Sequence, residues 1–145
     1  MDFRLYYLSD TVRYSNQFGI EDRMTFAIDR NSPTPVFNQI YVQFEGLIRS
    51  GLMEAGSPLP SIRQLAQSLD VSANSVKHAY EDLESNGLIV TSPGRKARVA
   101  EQSRLACDVL AAIQCLVMAA HKHNADLTAT QNVLSTVWEM EPEED

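Results

Sequence analysis

Apolar residues first settle into a helical rhythm at Phe37, Ile40, Tyr41, Phe44, Leu47 and Ile48. Steps of three and four place them on one face, so a helix is predicted there, with Gly51 as its stop. Asn31 to Pro35 is a loop by composition, and Ala55 to Pro60 is a turn-rich connection. Ser61 then opens a second, short helix with Gln64 in capping-box position, its inner face being Ile62, Leu65, Ala66 and Leu69. Asp70-Val71 is a tight connection to a third helix, N-capped by Ser72, with Val76, Ala79, Tyr80 and Leu83 inside and Asn86-Gly87 at its end. Leu88 to Thr91 reads as a strand, Ser92 to Lys96 as a turn and Ala97 to Ala100 as the returning strand.

A helix, two further helices across a tight turn and a hairpin spell a winged helix-turn-helix. The expected fold is mainly α with a small β-hairpin wing, followed by a C-terminal two-helix dimerisation segment. Three regions result: an N-terminal extension at 1–34, the winged domain at 35–100, and a helical segment with an acidic tail at 101–145. In the extension, Phe3, Leu5 and Tyr7 alternate weakly, as do residues near Phe26 and Ile28, which leaves room for short strands.

The two later helices, about Gln102–His123 and Leu127–Met140, change the picture. The first is apolar nearly all round, and so short a chain has little with which to cover it. A second subunit is the expected cover, over Leu105, Val109, Leu110, Ile113, Leu116 and Val117, helped by Leu127, Leu134, Val137 and Trp138. Trp138 is expected to be core. Leu105 to Ala120, interrupted by Asp108 and Gln114, is too short to span a bilayer, and Met1 to Asp10 lacks the form of a signal peptide. A soluble, cytoplasmic protein without membrane association is expected.

Charge at first argues against a nucleic-acid partner, since the net value is −7. Its distribution removes the objection. Residues 36–100 carry six bases and six acids, whereas residues 101–145 carry two bases and eight acids. At 100° per residue, Asn74, His78 and Glu81 of the third helix point away from its core arc, with Lys77 on the flank. Recognition helices read bases through their N-terminal half, so Asn74, Lys77 and His78 are the candidates. Asn pairs with adenine, and Lys reaches guanine or phosphate. The N-terminus of the Ser61 helix is a ready phosphate site, and Arg63 adds a full charge to it. Arg95, Lys96 and Arg98 surround Gly94 on the wing. Double-stranded DNA is the expected partner, with no cofactor and no metal.

Particular segments carry a family resemblance. They are Phe26-x-Ile28-Asp29, Pro35-Val36-Phe37-x-Gln39-Ile40, Leu59-Pro60-Ser61-Ile62-Arg63-Gln64-Leu65-Ala66, Val71-Ser72-x-Asn74-Ser75-Val76 and Ala79-Tyr80-x-x-Leu83-Glu84-x-x-Gly87-Leu88-Ile89. Over about residues 25–100 the chain resembles the GntR family of bacterial repressors. Its short C-terminus resembles the YtrA subfamily, whose members dimerise through that region and often control transporter operons. The resemblance implies DNA contacts at Ser61, Arg63, Ser75, Lys77 and Gly94, to which the capping Ser72 is added as a neighbour of the same helix end. A two-fold homodimer presents two equivalent recognition helices, so an inverted-repeat operator is expected. Two departures stand out: Ala73 occupies a position usually held by Arg, and Gly94-Arg95-Lys96 replaces a Gly-x-Gly wing.

Rival readings are weaker. Some similar proteins carry a further aminotransferase-like domain with pyridoxal phosphate, for which 145 residues leave no space. His121 and His123, at i and i+2 on a helix, point apart and do not converge on a metal. No nucleophile, base and orienter assemble, so the chain reads as no enzyme. The alternative is a protein-interaction and dimerisation module with weakened or lost DNA binding, which Ala73, the altered wing and the acidity favour. The salt dependence of DNA affinity separates the two. Whether a small-molecule effector exists is not readable from the residues. Cys107 and Cys115, two helical turns or roughly 12 Å apart, are too distant for a disulfide and read as buried small hydrophobes.

Overall fold

The computed structural model describes residues 11–12 and 26–140. The weak alternation at Phe3, Leu5 and Tyr7 and the tail from Glu141 to Asp145 lie outside them. The chain divides into two compact units that part between Arg104 and Leu105. In the first, β1 (Thr11–Val12) pairs antiparallel with β2 (Phe26–Ala27). Then come α1 (Val36–Arg49), α2 (Ile62–Leu69), α3 (Ala73–Ser85), and the hairpin of β3 (Ile89–Ser92) and β4 (Arg95–Val99). The second unit holds α4 (Cys107–Lys122) and α5 (Leu127–Glu139). This is the mainly helical winged architecture that the pattern predicts.

The first unit is built around α3, which packs against α1, α2 and β3. Val76, Ala79, Tyr80 and Leu83 of α3 are buried with Ile40, Phe44 and Ile48 of α1 and Leu65, Ala66 and Leu69 of α2. Three aromatic rings meet in this core: Phe44 lies 4.6 Å from Phe26 and 5.8 Å, edge-on, from Tyr80. The Tyr80 hydroxyl donates to the Pro60 carbonyl at 2.7 Å, so α3 also holds the entry to α2. A buried hydroxyl needs such a partner. Burial, and after it the Glu45 carboxylate, push the Tyr41 phenol up from its ordinary value.

Two glutamines of α1 tie down the segment before it. Gln43 accepts from the Ala27 N–H at 2.9 Å and donates to its carbonyl at 2.8 Å, as a neighbouring strand would. Gln39 does the same for Asp29 and also donates to Thr34 O. Each side-chain amide offers one acceptor and two donors, enough to satisfy a main-chain pair.

Several boundaries differ from expectation. Ala55 to Pro60 is more than a connection: Leu59 N donates to Ala97 O at 2.8 Å and Val99 N to Ser57 O at 2.9 Å. A third short rung therefore borders the wing, and long-range pairing of this kind leaves no local signal. The wing turn is tighter than Ser92–Lys96. Ser92 and Arg95 are already paired, leaving only Pro93 and Gly94 to turn, with Gly94 at φ +73°. Pro with its preset φ followed by Gly at positive φ is the residue pattern of a type II turn. In the second unit α4 begins at Cys107, so Leu105 precedes the helix.

The second unit buries none of the residues of its helices. Trp138, expected to be core, is 85% exposed in the single chain. Cys107 and Cys115 are exposed too, not buried. At 100° per residue they fall on the arc of α4 that carries Asp108, Gln114, His121 and Lys122, away from Val109, Ile113 and Leu116. An apolar hollow of about 420 Å³ lies among Leu116, Ala125, Ala129, Thr130, Val133, Leu134 and Val137.

Candidate nucleic-acid interface

The N-terminus of α2 is a complete capping box. The Ser61 side chain accepts from Gln64 N at 3.2 Å, and the Gln64 side chain accepts from Ser61 N at 3.2 Å. One orphan donor of the helix end is thereby satisfied, and further N–H groups of the first turn remain for an anion. The Ser61 hydroxyl retains its proton as a donor. Arg63 stands exposed on the same turn.

Ser72 caps α3 likewise, accepting from Ser75 N at 3.1 Å. The hydroxyls of Ser72 and Ser75 also meet at 2.8 Å, so both candidates spend part of their bonding capacity on the cap. Ala73 and Asn74 follow, both exposed. Lys77 lies one turn on, exposed, with its ammonium 3.6 Å from Glu81. An exposed i, i+4 pair contributes only about 0.3–0.5 kcal/mol, so exchanging Glu81 for a phosphate costs Lys77 little.

His78 is placed differently from the other candidates. Its ring stacks on Phe37 of α1 with centroids 4.0 Å apart and planes at 21°. Its Nε2 is 3.9 Å from Asp82. His78 is exposed, as the helical wheel has it, and 40° beyond Asn74 it also borders α1, where its ring meets Phe37. His78 thus combines an exposed edge with a contact between α1 and α3.

The wing contributes Arg95 and Lys96 from β4, both exposed, and Gly94 at its tip. The register shift between Val90 and Ser92 sets two residues of β4 against Thr91. A bulge of this kind breaks the strict in–out alternation of a strand. Arg98 belongs to the scaffold, since its Nη1 donates to Gly56 O at 2.8 Å.

Two ties went unseen in the residue pattern. Arg30 Nη2 bonds Asp70 twice, the carboxylate at 2.8 Å and the carbonyl at 2.9 Å, and Asp70 holds φ +51° between α2 and α3. Glu84 accepts from the Thr91 amide at 3.3 Å and from its hydroxyl, linking α3 to the wing. The Arg30 pair spans 40 positions, beyond any local pattern.

Comparison with known proteins fits these elements. The profile of bacterial regulatory proteins of the gntR family matches residues 37–99. The HTH-type transcriptional repressor YtrA of Bacillus subtilis (strain 168) is 39% identical over 77 residues, covering 53% of this chain and 59% of that protein. YtrA from Sulfolobus acidocaldarius, described as a GntR-family transcription factor, is 35% identical and covers 65% of this chain and 97% of that one, with a TM-score of 0.51. A transcriptional antiterminator from Listeria monocytogenes EGD-e shares the fold, with a TM-score of 0.54 at 22% identity over 79% of this chain and 90% of that one. The chain thus spans 59% of the length of the curated repressor and nearly all of the Sulfolobus structure. It belongs to the GntR family of bacterial regulatory proteins, in the YtrA-like branch.

Proposed function

We propose that this chain is a cytoplasmic transcriptional repressor that binds an inverted-repeat operator as a homodimer. Residues 35–100 read the DNA and residues 101–145 join the two copies. One observation carries the reading. A capped helix N-terminus, the outer face of α3 and a wing with two exposed cations are all carried on elements packed around one hydrophobic core. The helix N-terminus and Arg63 hold phosphate, Asn74 and Lys77 enter the major groove, and Gly94, Arg95 and Lys96 follow the backbone.

The dimer is supported by where apolar surface lies. Of the fourteen large hydrophobic side chains exposed among the described residues, eleven are on the second unit. A single chain rarely leaves so contiguous an apolar surface in water, and a two-fold partner is the commonest cover. Two equivalent α3 helices then demand an operator with dyad symmetry.

The test is an anisotropy titration on cognate and scrambled duplexes over a range of salt. Arg63→Ala is expected to weaken binding to both and to lower the salt slope by about one unit, as loss of one phosphate contact does. Asn74→Ala is expected to cost about 1–3 kcal/mol on the cognate site only, relaxing preference at one base pair. A salt-independent wild type would make the chain an interaction module instead. Equal effects of the two substitutions on both duplexes would remove Asn74 from base reading.

Ala73 tests the placement of α3. It is the first residue of the helix and exposed, and a methyl group there touches at most a thymine methyl. Ala73→Arg is expected to tighten scrambled-DNA binding and steepen its salt dependence by up to about one unit. Helix stability should hardly change, because Arg is nearly as good a helix former as Ala. Unchanged affinity would mean that residue 73 does not face the duplex.

A further inference from the structure

An ion pair stands at the turn between α2 and α3. Asp70 leaves α2 at φ +51°, a left-handed conformation that Asp and Asn tolerate better than other side chains. Two residues later Ser72 caps α3. Arg30 Nη2 donates to the Asp70 carboxylate at 2.8 Å and to the Asp70 carbonyl at 2.9 Å. The main chain on either side of Arg30 is held as well. Asp29 is bonded both ways to the Gln39 side-chain amide, at 2.8 and 3.0 Å, and its carboxylate accepts from Asn31 N at 2.9 Å. Arg30 therefore leaves a pinned segment and ends on the turn, and all of these residues belong to the first unit.

The pair is open to solvent, with side chains 62% and 89% exposed. Such a pair adds little stability, and its members exchange readily with other ions. The first turn of a recognition helix lies in the groove, so the chain leading into it passes the groove's edge, where the phosphates run. Ala73, at the start of α3, brings no cation there. Arg30, from 40 positions before Asp70, does. The Asp70 carboxylate beside it opposes the same phosphates.

We propose that Arg30 is a further DNA-backbone contact and that Asp70 restrains it, so that the pair sets how tightly the protein holds DNA of any sequence. The proposal rests on the DNA-binding reading above, but not on the dimer. If the pair only braced the turn, losing either partner would weaken binding. For a restrained cation the two losses have opposite signs: without Asp70 the face gains a positive charge, and without Arg30 it keeps an uncompensated negative one.

The experiment compares the full chain with Asp70→Asn, Arg30→Gln and Arg30→Lys by anisotropy on a scrambled duplex at several salt concentrations. Asn suits the left-handed turn and leaves the carbonyl of residue 70 to hold Arg30, whereas Gln keeps a donor without the charge. Each variant should fold as the wild type does, because an exposed pair adds little stability. Asp70→Asn is expected to tighten binding by about three- to tenfold and to steepen the salt slope by up to about one unit. Arg30→Gln is expected to weaken binding by a similar factor and to flatten the slope by about one unit, while Arg30→Lys stays near wild type. Weaker binding by both Asp70→Asn and Arg30→Gln overturns the proposal and makes the pair a brace. Unchanged affinity in either one also overturns it, placing the pair away from the duplex. So does an Arg30→Lys variant as weak as Arg30→Gln, because charge would then not be what acts. A wild type whose affinity ignores salt fails the functional reading itself, before any variant is compared.

Discussion

Replacing Val133 by aspartate is expected to leave a folded, monomeric chain whose operator affinity is lower by about 10²–10⁴-fold. Val133 lies in the middle of α5 and is 63% exposed in the single chain, so a carboxylate there meets water while the chain is alone. Helix propensity barely distinguishes Val from Asp, and α5 should form as before. Val133 borders the apolar hollow with Leu134 and Val137, and if the proposed partner covers that hollow an unpaired charge there costs several kcal/mol. Losing the partner removes the second half-site contact, which a linked reading domain makes at an effective concentration in the millimolar range. Circular dichroism, sedimentation and anisotropy on the same sample check the three parts of the expectation. A dimer of unchanged stability would move the interface off this face of α5. A monomer with wild-type affinity would mean that the two half-sites are not read together.

Phe44→Ala is expected to destabilise the first unit by about 3–5 kcal/mol, the usual loss when a buried phenylalanine becomes alanine. Against a total of about 5–15 kcal/mol for a domain, that approaches unfolding at physiological temperature. Phe44 is fully buried and its ring contacts both Phe26 and Tyr80. The cavity would open where α1 supports α3, beside the residue whose hydroxyl holds Pro60. Phe44→Leu should lose far less, because it retains most of the volume. Urea melts of the two variants give the comparison. A loss below about 1 kcal/mol for Phe44→Ala would mean that the core closes over the gap and that α3 does not depend on this ring. DNA binding should fall with the folded fraction, leaving affinity per folded molecule near wild type.

Much of the local structure around the candidate site was legible because it is built from short-range interactions. Ser61 and Ser72 declare helix starts through bonds three residues long, and the α3 face follows from a 100° step. His78 shows where that logic stops. A wheel assigns a direction, but the Phe37 ring that receives the imidazole comes from 41 positions earlier. Arg98 shows the same limit: it stands beside Arg95 and Lys96 in the sequence, but its guanidinium donates to the Gly56 carbonyl, 42 positions away. The bulge in β4 and the rung formed by Ser57 and Leu59 escaped because strand pairing is set by the partner, not by the strand itself.

By itself, the sequence determined the existence of the helices, the Ser61 and Ser72 caps, the inward faces of the winged domain and the surplus of apolar residues after Leu105, all of which depend on neighbours within a few positions. Only the tertiary structure decided that two of the cations are held within the fold, Arg30 on Asp70 and Arg98 on Gly56. It alone placed both cysteines on the polar arc of α4. The reason is physical. Capping and periodicity act over one or two turns, whereas a contact between residues some 40 positions apart exists only once the chain between them has folded.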